Sequence, residues 1–351
     1  MRQTEIAYPE LLTVSPSPHI KSKDTTRSVM IDVIIALMPA LAWGVYSFGW
    51  RALVITAISV LSCMLFEGGY QKLMKKPVTV LDGSAAVTGI LIAFNIPPTI
   101  PLWMPVIGAF FAIVIVKQLY GGIGKNFLNP ALSARAFMML AWPTAMTYFV
   151  KPHTSLPPFA VSIDSSDAIA SATPLAALKT GLLPESSVSE LFVGNIGGCI
   201  GEISSLLLIA GGLYLFWRKV ITWHIPVSFL GTVALLTFFL PPMEVPSINE
   251  YMLAELCSGG LMLGAIFMAT DYATSPVTPN GRLIFGAGCG ALTVFIRYFG
   301  GYQEGVSFAI LIMNTLVWYL DRYTKPKRFG ELTKFPERMP PDNAKQETKT
   351  R

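Results

Sequence analysis

Ten long apolar runs constrain the fold of this chain more than any other feature of its sequence. Each is roughly 17 to 26 residues long, and a helix that crosses a bilayer needs about 20 mostly apolar residues. Hydrophobic residues make up 52% of the 351 positions and charged residues only 13%, and the mean hydropathy is +0.54. A soluble chain of this size needs a more charged surface. The sequence therefore predicts an all-α polytopic membrane protein.

The predicted spans form two groups of five, separated by a long polar segment. They cover residues 29–49, 52–70, 80–96, 102–120, 127–147, 192–217, 222–241, 252–270, 280–298 and 302–321. The chain accordingly divides into a cytoplasmic N-terminal segment (1–28), a first five-helix group (29–147), an external loop (148–191), a second five-helix group (192–321) and a cytoplasmic tail (322–351). The tail is charged and contains several prolines, which predicts disorder.

The distribution of basic residues predicts which side of the membrane each segment faces, because cytoplasmic segments retain Lys and Arg. With the N-terminus inside, only four of the 26 Lys and Arg residues fall in outer segments, namely Arg51, Lys151, Lys179 and Arg297. We therefore expect both termini in the cytoplasm and the loop 148–191 outside. The polar N-terminus also lacks the short apolar region and cleavage site of a secretory signal.

Two similar stretches indicate an internal repeat. VKQLYGGIG surrounds Gly121 and FIRYFGGYQ surrounds Gly300, and Pro97 and Pro276 each lie 24 positions before the Gly-Gly pair. Because five crossings is an odd number, two such halves would be inverted, and inverted repeats place their sites where broken helices meet. The candidate broken helices are TGILIAFNIPPTIP and GAIFMATDYATSPVTP. The alternative is two ordinary helix ends with proline stops.

The sequence argues against a metal site, a nucleic-acid partner and a dinucleotide-binding loop. Cys63, Cys199, Cys257 and Cys289 are far apart and lack the spacing of a metal or cluster site, so we expect no metal. The net charge of +5 is spread between apolar runs, which argues against nucleic acid as a partner. The stretch VGNIGGCIGE follows no predicted strand, so it is not a dinucleotide-binding loop. We interpret its glycines as packing positions within a spanning helix.

The external loop contains the stretch DAIASATPLAALK, residues 167–179. Its small and polar residues predict neither a membrane span nor a packed core, and an ordinary Ser- and Ala-rich connector is one interpretation. The order of Asp167, Ser171, Ala172 and Thr173, however, resembles the flavinylation motif of the Rnf complex D subunit and of the B subunit of the sodium-pumping NADH:quinone reductase. That motif usually has Ser or Thr and then Gly before Ala-Thr, where this chain has Ala170-Ser171.

The resemblance implies a covalent cofactor. In this family a dedicated flavin transferase reads the motif and joins FMN through its phosphate to the threonine hydroxyl. Thr173 is the matching residue here, and Asp167, Ser171 and Ala172 complete the motif. Such a linkage keeps the flavin on the protein while the cofactor carries the electron chemistry.

The resemblance extends over nearly the whole chain. SPSPHIKSKDTTRSVMIDVIIALMPA at 15–40, KNFLNPALSARAF at 125–137 and FMATDYATSPVTPNG at 267–281 look like the Rnf D subunit. The short polar N-terminus is more similar to that subunit than to its quinone-reductase counterpart. The resemblance implies ten transmembrane helices in two inverted five-helix repeats, a fold similar to urea transporters.

The function implied is that of one subunit of an ion-translocating oxidoreductase in the bacterial inner membrane. Such a subunit relays electrons between ferredoxin and NAD, coupled to Na⁺ or H⁺ translocation, and is not catalytic alone. The implied partners are other Rnf subunits, including a flavoprotein subunit with an external domain and iron–sulfur membrane subunits, together with the flavin transferase. The alternatives are a component like the B subunit of a sodium-pumping NADH:quinone reductase and a urea-transporter-like channel without redox function. A covalently bound flavin would favour either redox interpretation over the channel.

Polar residues at membrane depth are further candidates, because unpaired polar groups in lipid cost several kcal/mol. They lie at the start of the fifth helix and the end of the eighth, namely Asn126, Asn129, Arg135, Asp271, Thr274 and Ser275. We expect them to converge on one cavity, for which the resemblance implies a second, noncovalent flavin (riboflavin) or an ion path. The alternative is that Asn and Asp cap helix ends while Arg135 extends to the cytoplasmic face. Candidates for ion or proton handling are Glu67, Glu202 and Glu255.

Overall fold

The computed structural model describes residues 24–154, 156–160, 173–184, 186–242, 245–301 and 304–326. Three residues of the predicted motif, Asp167, Ser171 and Ala172, lie outside these ranges. Most of the predicted N-terminal segment and most of the predicted tail also lie outside them. The α-helices are α1 (Thr26–Phe48), α2 (Trp50–Leu73), α3 (Ser84–Phe94), α4 (Met104–Phe110), α5 (Pro130–Ala141), α6 (Pro143–Met146), α7 (Pro174–Lys179), α8 (Val188–Val193), α9 (Ser205–Trp217), α10 (His224–Phe239), α11 (Ile248–Cys257), α12 (Leu261–Leu263), α13 (Pro279–Phe299) and α14 (Val306–Tyr323). Two π-helical segments continue α4 and α12, at Phe111–Gln118 and Gly264–Met268.

The lengths and compositions of these helices agree with a multi-pass membrane protein. In the described part of the chain, α1, α2 and α13 are long and apolar enough to cross a bilayer. Helix α11 and the α12 segment are bent by 61° at a short break and form a fourth span if the pair is counted as one. Shorter apolar helices of 10–17 residues include α3, α5, α9 and α10. The count of ten spans stays a prediction.

Two short apolar helical segments are almost completely buried in the protein interior. Ten of the eleven residues of α3 are buried, and so is every residue of the π-helical segment Gly264–Met268. Half-length helices leave backbone groups unpaired at their ends, which is tolerated at membrane depth only inside protein or beside a cavity. Because these two segments are buried, they can end inside the protein without exposing unpaired backbone groups to lipid.

Glycines bring α10 and α13 into close backbone contact. A Cβ atom on Gly286 would lie 2.7 Å from the Ile225 carbonyl oxygen, and one on Gly290 would lie 2.8 Å from that of Phe229. Small residues four positions apart form one face of a helix and let a neighbouring backbone approach. In a lipid environment this close packing holds helices together, because burial of apolar surface contributes little there.

A polar contact joins the first helix group to the second. The Asp32 carboxylate on α1 is buried and accepts hydrogen bonds from the Tyr214 hydroxyl at 2.9 Å and from the Arg218 guanidinium at 3.0 and 3.1 Å. These charge-assisted hydrogen bonds raise the pKa of Arg218, which follows the last residue of α9. The contact fixes α9 against α1.

The segment 194–203 is not helical, so the prediction of one continuous span over 192–217 is wrong. Helix α8 ends at Val193 and α9 begins at Ser205. Between them, the Ile200 N–H donates to the Ile96 carbonyl at 3.1 Å and the Gly201 N–H donates to the Phe94 carbonyl at 3.2 Å. The last carbonyls of a helix have no partner within it. The non-helical segment therefore satisfies the buried end of α3.

Gly201 of this segment serves close contact with the end of α3 rather than packing within a helix. A Cβ atom on Gly201 would lie 2.0 Å from Cγ of Phe94, far inside van der Waals contact. Phe94 is itself fully buried, so its ring has little room to move. Only glycine allows the backbone hydrogen bond between these two residues.

Replacing Gly201 with alanine should therefore destabilise the fold. Overpacking of this kind costs about 1–3 kcal/mol, and we expect Gly201→Ala to lower the free energy of unfolding by at least about 2 kcal/mol. Denaturant unfolding of the purified protein in detergent measures this. The control is Gly231→Ala in α10, where an added Cβ meets nothing within 4 Å. Equal stability of the two variants would contradict the assigned contact.

Candidate functional site

The two interrupted helices end against each other in the protein interior. Helix α3 stops before Asn95 and the π-helical segment stops at Met268. The Asn95 amide nitrogen donates to the Leu91 carbonyl at 2.6 Å and lies 3.5 Å from the Met268 sulfur. Both apolar runs thus end where the polar residues and prolines begin, and their ends meet in one place; that they are the broken helices of an inverted repeat stays a prediction.

Asn129 connects the start of α5 to the place where the two interrupted helices end. Its side-chain oxygen caps the helix by accepting from the Ala131 and Leu132 N–H groups at 3.0 and 3.3 Å. Its amide nitrogen donates to the Met268 carbonyl at 3.1 Å. The capping interpretation of Asn129 is therefore correct, but the same side chain also satisfies the end of the second interrupted helix.

Asn314 of α14 closes the network from the opposite side. With its amide oriented to suit its neighbours, the oxygen accepts from the Asn129 N–H at 3.2 Å and the nitrogen donates to the Thr274 carbonyl at 3.1 Å. Helices from both halves of the chain thus share one buried hydrogen-bond network. Such networks specify a unique arrangement when their members are satisfied.

A cavity of about 200 Å³ lies on one side of this meeting point. Among the described residues, those with polar side chains that line it are Arg135, Thr147, Thr173, Glu202 and Glu304, and we refer to it as the loop cavity. Gly197, Gly198, Gly259 and Gly301 also line it. The structure therefore brings the predicted flavin-carrying threonine to the same cavity as a buried arginine.

Arg135 is buried in the protein and does not extend to a membrane face. Its Nη1 donates to the Asn95 side-chain oxygen at 2.7 Å and lies 3.8 Å from a carboxylate oxygen of Glu202. Its Nη2 forms an ion pair with Glu304. The alternative that this side chain extends to the cytoplasmic face is wrong, because the guanidinium is held between the first interrupted helix and two buried carboxylates.

Thr173 is partly buried and occupies the N-cap position of α7. The residues after it pack into the protein, since Leu175 and Leu178 are buried and the Tyr251 hydroxyl donates to the Leu178 carbonyl at 3.4 Å. Lys179 donates to the Gly300 carbonyl at 2.5 Å. The expectation that residues 167–179 pack no core is wrong for this part, and α7 holds Thr173 at a fixed place.

The loop that precedes Thr173 is attached to the centre by Arg51. This side chain is fully buried, and its guanidinium donates to the carbonyls of Pro98 at 2.7 Å, Ile100 at 2.8 Å, and Pro157 and Ala160 at 2.9 Å each. Because the guanidinium presents five donors in a planar fork, it can satisfy several carbonyls at once. Arg51 therefore ties residues 157–160 to the chain that follows α3.

A smaller cavity of about 110 Å³, the central cavity, is lined by Asn126, Asn129, Asp271 and Lys117. The Thr274 hydroxyl donates to the Asp271 carboxylate at 3.1 Å, and the Ser275 N–H donates to the Asp271 carbonyl at 3.1 Å. Asp271 follows the last residue of the predicted eighth span.

The six predicted polar residues do not converge on one cavity, so that prediction is wrong. Asn126, Asn129 and Asp271 line the central cavity, whereas Arg135 lines the loop cavity. Residues 129 and 135 are six positions apart on α5, a rise of about 9 Å. The fifth helix thus presents polar groups to two sites on either side of the interrupted helix ends.

The predicted acidic candidates all form buried ion pairs. Glu67 lies 2.8 Å from Lys117, and Glu255 lies 2.5 Å from Arg297. Glu202 shares Arg135 with Glu304, a residue that the sequence pattern did not single out. Glu304 lies near the predicted start of the tenth span, where a carboxylate is usually a surface residue. Its place in the site depends on a contact between α5 and the chain before α14.

These features define a multi-pass helical membrane protein in which buried polar residues line cavities beside two interrupted helices. Its family follows from comparison with known proteins. The chain belongs to the NQR2, RnfD, RnfE family, whose model matches residues 13–330.

Curated relatives are similar over most of their length. The chain is 48% identical to the D subunit of the Na⁺-translocating ferredoxin:NAD⁺ oxidoreductase complex of Acetobacterium woodii, over 91% of this chain and 95% of the relative. It is 40% identical to the D subunit of the proton-translocating complex of Clostridium ljungdahlii, over 91% and 96%. It is 38% identical to the D subunit of the ion-translocating oxidoreductase complex of Escherichia coli strain SE11, over 90% and 98%.

Replacing Arg51 should loosen the loop that carries Thr173. Arg51→Ala leaves four carbonyls without their donor, and each buried unsatisfied group costs about 1–3 kcal/mol. We expect the free energy of unfolding to fall by at least about 3 kcal/mol and protease cleavage between α6 and α7 to accelerate. The control is Arg27→Ala, at an exposed position on α1, with an expected effect within about 0.5 kcal/mol. Unchanged stability and cleavage of Arg51→Ala would refute the anchoring role.

Proposed function

We propose that this chain is the D subunit of an Rnf-type complex and relays electrons between ferredoxin and NAD through FMN linked to Thr173. The relay is coupled to translocation of Na⁺ or H⁺. The names of the relatives, which all describe the D subunit of an ion-translocating oxidoreductase, support the role in the complex. The observation that carries the cofactor assignment is the position of Thr173 at a cavity that also contains a buried arginine.

One charged residue of the loop cavity suits a flavin phosphoester chemically, while the two acids beside it, Glu202 and Glu304, oppose an anionic group. A phosphoester is anionic, and the planar guanidinium of Arg135 is the side chain best suited to pair with phosphate oxygens. Four glycines line the walls and leave space beside the backbone for a flat ring. When bound, FMN supplies one-electron and two-electron chemistry. The chain supplies the attachment, the orientation and one cation, which Glu304 also pairs.

The volume of the loop cavity limits how much of the cofactor it takes in. At about 200 Å³ it lies below the usual range of ligand pockets, about 300–1,000 Å³. It would therefore hold part of the group and leave the remainder outside the cavity. A partly exposed flavin suits exchange of electrons with a partner protein of the complex.

The noncovalent riboflavin implied by the resemblance fits less well. The central cavity has suitable polar groups in Asn126, Asn129 and Asp271, but its volume is about 110 Å³. A whole flavin would enter only if the walls moved apart. We therefore assign no step of the electron relay to this cavity.

We also infer that the two halves of the chain are inverted repeats with a urea-transporter-like fold. Lys117 and Arg297 precede the two Gly-Gly pairs by four and three positions, and each forms a buried ion pair with a glutamate. The π-helical segment Phe111–Gln118 accounts for the difference, because a π-bulge adds one residue to a helix. The similar positions of the two basic residues support a common origin of the halves, although their glutamate partners lie on different spans, Glu67 on the second and Glu255 on the eighth.

The remaining proposals follow from the same assignment. The partners are the other Rnf subunits, including an external-domain flavoprotein and iron–sulfur membrane subunits, and a flavin transferase acts in maturation. We place the protein in the bacterial inner membrane with both termini in the cytoplasm. A channel function would not explain why an arginine and a threonine line the same cavity. The names of the relatives favour ferredoxin:NAD⁺ chemistry over a quinone reductase.

Loss of the Thr173 hydroxyl should abolish covalent flavin. We expect the wild-type chain, coexpressed with its flavin transferase, to show flavin fluorescence in a denaturing gel and the Thr173→Ala variant to show none. Intact mass measures the added FMN. The matched control is Thr180→Ala, at an exposed position just after α7, which should stay fluorescent. A dark wild-type chain beside a modified control protein, or a fluorescent Thr173→Ala chain, would refute the assignment.

A further inference from the structure

The loop cavity contains more negative than positive charge. Among the described residues that line it, Arg135 is the one cation, and Glu202 and Glu304 are the two acids. The other two buried ion pairs with predicted acidic candidates match one acid with one base, Glu67 with Lys117 and Glu255 with Arg297. If both acids of the loop cavity are ionised, a net negative charge is buried there.

The two acids of this cavity are bound differently. Glu304 has both oxygens engaged, since Oε1 accepts from the Gly260 N–H at 2.6 Å and Oε2 pairs with Arg135. An ionised carboxylate accepts at both oxygens. Glu304 is therefore the acid that the structure stabilises in its charged form.

Glu202 has one oxygen without a donor. Its Oε1 accepts from the Cys199 N–H at 3.2 Å. Among the described residues, no donor lies within hydrogen-bond distance of its Oε2, and the nearest Arg135 nitrogen is 3.8 Å away, too far for a hydrogen bond. The residue is only 6% exposed. A buried charge with an unpaired oxygen is costly.

We propose that Glu202 takes up and releases one proton at Oε2, and that the charges of Arg135 and Glu304 set the pH at which it does so. In uptake, a proton from water bonds to a lone pair of Oε2 and the carboxylate becomes a neutral carboxyl group. Release reverses this step and returns the proton to water in the cavity. Cys199 lies beside Glu202, and the other described polar residues that line the cavity, Thr147 and Thr173, are uncharged, so none of them offsets the surplus negative charge.

The role of this proton rests on the proposed function. An electron delivered to a group on Thr173 by a redox partner of the complex adds a negative charge to a buried cavity. Uptake of one proton by Glu202 balances that charge, and departure of the electron favours its release. Glu202 would thus couple the electron relay to movement of a positive charge.

Infrared spectroscopy tests the proton directly. The full chain, expressed without flavin transferase and placed in lipid nanodiscs, is titrated while the C=O stretch of buried protonated carboxyl groups is recorded. We expect one titrating band that Glu202→Gln removes. The matched control Glu255→Gln, in a charge-balanced pair, should retain it. Glu304→Gln removes one negative charge and should lower the midpoint pH of the band by at least one unit, a tenfold weaker proton affinity.

Three results would overturn the proposal. These are a titrating band that persists in Glu202→Gln, the absence of any such band in the wild-type chain, and a midpoint unaffected by Glu304→Gln. A midpoint that falls as Na⁺ is raised at constant ionic strength would identify the site as one for sodium instead. The sample contains no flavin, so these outcomes are independent of whether Thr173 carries FMN.

Discussion

The ion pair and hydrogen bonds of Arg135 are the interactions on which the rest of the site depends. One guanidinium reaches the end of the first interrupted helix through Asn95 and the chain before α14 through Glu304. Glu304 in turn accepts from the Gly260 N–H, at the break before the second interrupted helix. Both breaks are thus held by a single cation. In a low-dielectric interior such charge-assisted contacts are stronger than in water.

The need to satisfy backbone groups explains why irregular chain surrounds the site. An interrupted helix leaves carbonyls that water cannot reach at membrane depth. The Gly201 N–H and the amide of Asn129 satisfy carbonyls at the two helix ends. The Ile200 N–H and the guanidinium of Arg51 satisfy carbonyls of the chain that follows α3. Each of these contacts also fixes a neighbouring segment, and together they position the walls of both cavities. The same contacts that close the helix ends therefore build the candidate site.

The sequence predicts the long helices well, since α1 and α2 coincide with apolar runs to within a few residues. The interruptions before Asn95 and after Met268 were also predictable from the polar residues and prolines that follow. The irregular segment 194–203 was not, because glycines suit both close helix packing and extended backbone. Burial of α7 was missed because six residues show too little periodicity. The pairing of Glu202 and Glu304 with one arginine depends on tertiary contacts between distant segments.

The most direct test of this account is a cryo-EM map of the flavinylated chain in its assembled complex. The account predicts density continuous with the Thr173 side chain that enters the loop cavity and contacts the Arg135 guanidinium, while Asn95 stays bound to Arg135. Density that leaves Thr173 away from this cavity, with Arg135 in contact only with protein groups, would contradict it. The loop cavity would then be a structural void, and the buried arginine would serve the fold alone.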